Sequence, residues 1–176
     1  TTILLLFDEV EHITFGKAAD ERWGKGLESV AFWKAIRSAF QRENSCFTYC
    51  IIGTNPICIE YPTILNAENP IFAGVTSLYI PGFDVNQTRS MVRKLGRIMG
   101  IKFDEILYAK MTEDYGGHPF LIRHVCSYIA GKYQDRPISI DRIKYNECKE
   151  EFNRTQGRYF QMILEVLKEF YPIEYD

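Results

Sequence analysis

The sequence predicts an α/β layer followed by an all-helical region, and three observations carry that expectation. Two short apolar runs, ILLLF at residues 3–7 and CFTYCII at 46–52, flank a stretch of helical periodicity. Such a strand–helix–strand unit folds as a parallel pair with a right-handed crossover. Beyond residue 82 the apolar spacing becomes helical throughout. At 176 residues the chain is long enough for one full core or somewhat more.

Each element has a local reason. The run ILLLF contains no polar residue, the pattern of a parallel strand buried on both faces. Residues 12–26 combine three glycines with many charges and read as a loop. From Leu27 onward Leu27, Val30, Ala31, Ile36, Ala39 and Phe40 recur at helical intervals with Trp33 beside them. Phe32, Trp33 and Phe40 are expected in the core rather than on a base-stacking platform. The second buried strand closes on Gly53-Thr54-Asn55-Pro56, an irregular stretch covers 57–76, and SLYI (77–80) reads as a third strand ended by Pro81-Gly82.

A helix over 84–99 is predicted by Asp84 with Gln87 as a capping box, by an apolar face of Thr88, Met91, Val92, Leu95, Ile98 and Met99, and by Gly100 as a left-handed cap. A helix at about 103–115 stops at Gly116-Gly117. Pro119 opens the next one, which buries Leu121, Ile122, Val125, Cys126 and Ile129. Two more span about 139–153 and 157–170, the last with Tyr159, Ile163, Val166, Leu167 and Phe170 on one stripe.

Composition excludes several classes. A formal charge of −2, with 25% charged residues, provides no global basic field for nucleic acid or an anionic membrane. No apolar run approaches the roughly 18 residues of a membrane span, and the N-terminus lacks the charged region and cleavage site of a signal peptide. The first residues lie inside a strand without an initiator Met, so the chain is expected to be part of something longer. Five cysteines at 46, 50, 58, 126 and 148 show no zinc-ligand spacing and read as buried, reduced thiols of a cytoplasmic protein.

Three places could carry chemistry. Asp8 and Glu9 follow the first strand, at the carboxyl edge where open parallel sheets bind ligands. There Asp8 suits a water-mediated Mg²⁺ and Glu9 an attacking water, although two acids also simply end a strand. Asn55 ends the second strand and can orient a water or touch a phosphate; Asn before Pro is equally a turn signal. Gly116-Gly117-His118-Pro119 precedes a helix N-terminus, which favours anions, with Arg123 one turn further on. The same glycines punctuate two helices. Arg89, Arg93, Lys94 and Arg97 form a basic face that suits phosphate or mere exposure, residues 141–154 read as a solvated charged face, and His12 reads as a solvated loop residue.

In this order, ILLLFDE resembles a Walker B strand, TYCIIGTNP a sensor 1 strand, and YGGHPFLIR the GxP-bearing lid helix of AAA+-related P-loop ATPases of the STAND signal-transduction class. The resemblance covers residues 3 to about 131. It implies a parallel-sheet P-loop NTPase core, of which 1–82 is the C-terminal part, a helical lid over 83–135, and the end of the lid or the start of a winged helix over 136–176. It implies Asp8 as the Mg²⁺ acid, and Glu9 and Asn55 as catalytic residues. Gly117, His118, Pro119 and Arg123 would contact ATP or ADP, Arg123 as a sensor 2 residue.

The implied function is a slowly hydrolysing ATP switch, with effector or sensor domains and a nucleotide-dependent homo-oligomer as partners. A DNA-engaged AAA+ initiator or transposition regulator, or an inactive protein-interaction module, are the alternatives. The family's P-loop, GxxxxGK[ST], is missing: neither Gly16-Lys17 nor Gly24-Lys25 has a glycine five residues upstream of its own. This piece alone is therefore expected to bind ATP poorly, and no arginine finger is evident.

Overall fold

A computed structural model describes residues 3–42, 46–54, 57–72 and 74–170, without the side chains of 57, 169 and 170. The chain divides into two compact units, Thr1–Tyr79 and Ile80–Asp176.

In the first unit β1 (Ile3–Phe7) pairs in parallel with β2 (Phe47–Ile51), in register from Ile3↔Phe47 to Phe7↔Ile51. Helix α2 (Leu27–Phe40) makes the crossover and buries Ser29, Val30 and Trp33. Trp33 is 2% exposed and, with Phe32, meets Phe7 edge-on at ring separations of 5.4 and 5.7 Å. Burying one such aromatic contributes about 3 kcal/mol. The expected apolar stripe of α2 is displaced: Leu27 and Phe40 are exposed, because Trp33 faces β1.

The expected loop at 12–26 contains a 3-10 turn (Val10–Ile13) and a short α1 (Glu21–Gly24), whose Asp20 cap accepts from Arg22 N at 3.0 Å. The irregular stretch after β2 holds α3 (Ile57–Glu60) and a small hairpin of β3 (Thr63–Ile64) and β4 (Ala67–Glu68). It is pinned by Asn69, 1% exposed, which donates to Cys58 O at 2.9 Å and Tyr61 O at 2.8 Å and accepts from Ile71 N at 3.2 Å.

Two expectations for this unit fail. Strand β1 is not buried on both faces: Leu4 is 57% and Leu6 62% exposed, and Cys50, opposite Leu6, is exposed too. A parallel pair needs cover on both sides, and among the described residues only the α2 side has it. Residues 77–80 pair with no strand among the described residues, and Leu78 is 88% exposed. An extended apolar segment without a neighbouring strand has no ladder to join.

The second unit is not helical throughout. Helix α4 (Val85–Met99) begins with the expected capping box of Asp84 and Gln87 and ends on Gly100 at φ 68°. Strand β5 (Ile101–Phe103) follows and pairs in parallel with β6 (Ile138–Ile140). Three-residue strands are too short for the period-2 pattern to show, which is why both had merged into helices. Helices α5 (Ile106–Asp114), α6 (Pro119–Lys132) and α7 (Arg142–Thr155) enclose a core centred on Ile122, Val125, Ile129, Tyr145 and Phe152. Helix α8 (Gly157–Phe170) packs Tyr159, Phe160 and Ile163 against that core and leaves Met162, Leu164 and Val166 exposed. Ile98, expected on the buried face of α4, is 78% exposed. Of the five free cysteines, Cys58, Cys126 and Cys148 are buried, but Cys46 and Cys50 are exposed, against the expectation. Burial lifts the Cys58 thiol to about 11 and the Cys126 thiol to about 12, so both stay protonated at neutral pH.

One polar cluster links α5 to α7. Asp114, largely buried, accepts from Tyr145 Oη at 2.9 Å and Lys149 Nζ at 2.8 Å, with Lys110 Nζ at 3.6 Å. Burial would raise this carboxyl, but the hydrogen bonds from Lys149 and Tyr145 and the two ammonium charges outweigh it and hold it below the usual range. A folded pKa below the unfolded value of about 3.9 adds stability above that value, and the gain disappears as pH falls through the folded pKa. Asp114→Asn should therefore destabilise the chain by about 2 kcal/mol at pH 7 in urea unfolding. The gap between variant and parent should narrow below about pH 4.

Candidate functional site

The parallel register brings the ends of β1 and β2 to one edge. Ile52 N donates to Phe7 O at 2.7 Å and Val10 N to Ile52 O at 3.3 Å, so the two strands stay joined as they leave the sheet. Asp8 and Glu9 stand at this edge, both exposed. Asp8 Oδ1 accepts from Glu9 N at 2.9 Å, and Oδ2 has no hydrogen-bond partner among the described residues. Glu9 is left-handed, at φ 53° and ψ 45°, a conformation that costs a non-glycine residue about 1 kcal/mol or more. Its carboxylate lies 3.6 Å from His12 Nε2.

Glu11, which belongs to no motif in the sequence, stands at the same edge. Its Oε1 accepts from the backbone N and, at 2.8 Å, from the hydroxyl of Thr54, tying the loop after β1 to the loop after β2. Gly53 makes room for this contact: a Cβ there would sit 2.9 Å from both Glu11 Oε1 and Val10 Cγ2. No spacing rule marks such an acid in advance, because its partner is a loop backbone 43 residues away.

Asp8, Glu9, Glu11 and His12 line an open concavity of about 350 Å³ floored by Ile52 and Gly53. Its described lining carries three carboxylates and the His12 imidazole. Asn55, the expected partner of Glu9, lies outside the described residues.

Gly117, His118, Pro119 and Arg123 belong to the second unit. Gly116 and Gly117 take successive left-handed conformations, φ 56° and 67°. Phe83 N donates to Gly117 O at 2.8 Å, and a Cβ on Gly117 would fall on the Phe83 backbone. A Cβ on Gly82 would come within 2.5 Å of Gly116 O. The glycines are thus required first by the packing of Gly82-Phe83 against the turn. His118 is the cap residue of α6 without a side-chain cap bond, and its Nδ1 is buried with no hydrogen-bond partner. Pro119 occupies the first turn, and Ile122 N makes the first bond back, to His118 O at 3.1 Å. Phe120 and Leu121 therefore keep N–H groups without helical acceptors. Arg123 is exposed on the outer side of α6.

The resemblance of the sequence motifs implies ATP and Mg²⁺, and the residues present can be tested for their fit to both. A single carboxylate such as Asp8 suits Mg²⁺, which takes one or two carboxylates and completes its shell with water and phosphate oxygens. The orphaned His118 Nδ1 and the free N–H groups of α6 suit an anionic group. Among the described residues no cluster of three His, Cys, Asp or Glu side chains could hold a metal by itself, and no glycine-rich phosphate cradle occurs in the sequence.

No protein-family model and no curated protein sequence matches the chain. Among solved structures the fold is similar to a RuvB mutant from Thermotoga maritima, with a TM-score of 0.54 at 15% identity, over 96% of this chain and 52% of that one. The chain spans about half the length of that structure. No described helix is long and apolar enough to cross a membrane.

If the left-handed Glu9 is strained, Glu9→Gly should raise stability by about 1 kcal/mol in urea unfolding, whereas Glu9→Gln should change it little. A loss of stability in the glycine variant would show that the backbone there is not held left-handed. The likeness to the RuvB mutant structure is one of fold alone.

Proposed function

We propose that the chain is the Walker B-to-lid part of an ATP-binding, slowly hydrolysing switch of the STAND class. Its Gly-rich phosphate loop would lie on a segment outside residues 1–176. The observation that carries this reading is the β1–β2 ladder, which delivers Asp8 and Glu9 beside the Gly53-Thr54 loop at one sheet edge. The uncovered face of Leu4, Leu6 and Cys50 supports it, since it asks for the additional strand and helix that a phosphate-loop segment would contribute.

Bound Mg²⁺ would neutralise the phosphates and polarise the γ-phosphoryl group. Asp8 would hold it through Oδ2, while the Oδ1 bond from Glu9 N holds the carboxylate in place. Glu9 is set on the same turn to accept a proton at its carboxylate from an attacking water. Glu11 keeps the Thr54 loop against this edge. Gly117, His118 and Pro119 present α6 to an anionic group. Arg123 lies one turn further along as a sensor 2 candidate. Without a glycine-rich phosphate cradle, residues 1–176 alone bind nucleotide weakly in this account. The division of labour places a nucleotide-binding core at 1–82, a lid at 83–135 and the lid's end or a winged helix at 136–176. The switch would act from the cytoplasm, with nucleotide-dependent oligomers and an effector domain as partners.

A chain extended by a phosphate-loop segment should bind Mg·ATP and hydrolyse it slowly. In that chain Glu9→Gln should lower hydrolysis at least 100-fold while binding is kept, the range expected for loss of a general base. Unchanged turnover, or no nucleotide binding by the extended chain, would contradict the proposal.

A further inference from the structure

Between Val85 and Phe103 the chain holds five Lys or Arg residues and no Asp or Glu, within a protein whose formal charge is −2. The structure neutralises one of the five. Arg89 Nε lies 2.5 Å from Glu105 Oε1, and its NH1 donates to Asn86 Oδ1 at 2.7 Å. Arg93, Lys94 and Arg97 stand exposed on the outer face of α4, and Lys102 is exposed on β5, which follows it. Among the described residues none of these four has an ion pair or a side-chain hydrogen bond.

Several other basic side chains of the same unit are matched. Lys110 and Lys149 share Asp114, Lys132 meets Glu151 at 2.7 Å, and Arg136 caps the carbonyls of Met99 at 2.9 Å and Ala130 at 2.7 Å. The inner face of α4 is fixed in the core by Thr88 and Val92, so the basic stripe cannot turn inward.

We propose that this outer face of α4 binds the phosphodiester backbone of nucleic acid. Asn86, Ser90, Arg93, Lys94 and Arg97 lie on one side of the helix at i, i+4, i+7, i+8 and i+11. Arg93 and Arg97 are about 6 Å apart along its axis. Two arginine forks and an ammonium, flanked by short polar side chains, form a surface for phosphate oxygens rather than base edges. Binding is therefore indifferent to sequence and strongly dependent on salt. A membrane is disfavoured because the apolar face of α4 is buried, which leaves Ile98 as its one large exposed apolar side chain. An acidic protein segment lacks the regularly spaced phosphodiester oxygens that two neighbouring guanidinium forks can bind together. The inference does not rest on nucleotide hydrolysis, and its test needs no added segment.

Fluorescence anisotropy of the 176-residue chain with short labelled duplex DNA and RNA, titrated between about 50 and 200 mM salt, reads it directly. The expected slope of log K against log salt is about −3, from three or four phosphate contacts. The triple variant Arg93→Ala, Lys94→Ala, Arg97→Ala should weaken binding at least tenfold, with an unchanged circular-dichroism spectrum and melting temperature. Lys34→Ala with Arg42→Ala, in the other unit, should leave binding as it was. The proposal is overturned if neither nucleic acid binds, if the triple variant binds like the parent, or if polyglutamate or phosphatidylserine vesicles bind as tightly as DNA.

Discussion

The acidic site depends on the parallel ladder between β1 and β2. In a parallel pair the carboxyl ends of both strands reach the same edge, so the side chains after Phe7 and after Ile51 meet without further design. The register is held by the inward residues. Phe7 packs on Phe32 and Trp33, and a slip of one residue would turn it to the opposite face and bring Leu6 in its place. The backbone bonds of Ile52 to Phe7 and of Val10 to Ile52 extend the ladder just far enough to set the turn that carries Asp8 and Glu9. Glu11 then fastens the opposite loop.

The second unit is organised by a different constraint, the close approach of backbones. The Gly82-Phe83 segment runs so near the Gly116-Gly117 turn that neither Gly82 nor Gly117 tolerates a side chain. This contact places the start of α4 beside the start of α6. At the other ends of the same helices, Arg136 bridges the carbonyls of Met99 and Ala130, where a cation also opposes the helix dipoles. With both ends of α4 fixed and its apolar face in the core, the side chains left for solvent are, Ile98 apart, the polar and basic ones, and their placement follows from the packing rather than from charge pairing.

Much of this was legible in the residues. The bounds of β1 follow from five uninterrupted apolar side chains, and those of α4 from the Asp84/Gln87 box and Gly100. The pairing of β1 with β2 follows from the crossover rule. What escaped was long-range or too short for a period. Glu11 acts through a loop far along the chain, Asn69 orders its loop through three backbone groups, and β5 and β6 hold three residues each. The burial of β1 on both faces was misread for a further reason: an all-apolar strand reports the cover that its sheet requires, not the cover among the described residues. The exposed Leu4, Leu6 and Leu78 make the same point.

The central claim is that this sheet is completed by a strand and helix that carry the phosphate loop. Amide hydrogen exchange on the 176-residue chain, and on a chain extended by such a segment, tests it most directly. The account predicts that residues 77–80 and the backbone of β2 exchange markedly more slowly in the extended chain, as an unpaired segment and an open strand edge acquire partners. Equal exchange in both chains at those residues would mean that the edge takes no strand, and would contradict the account.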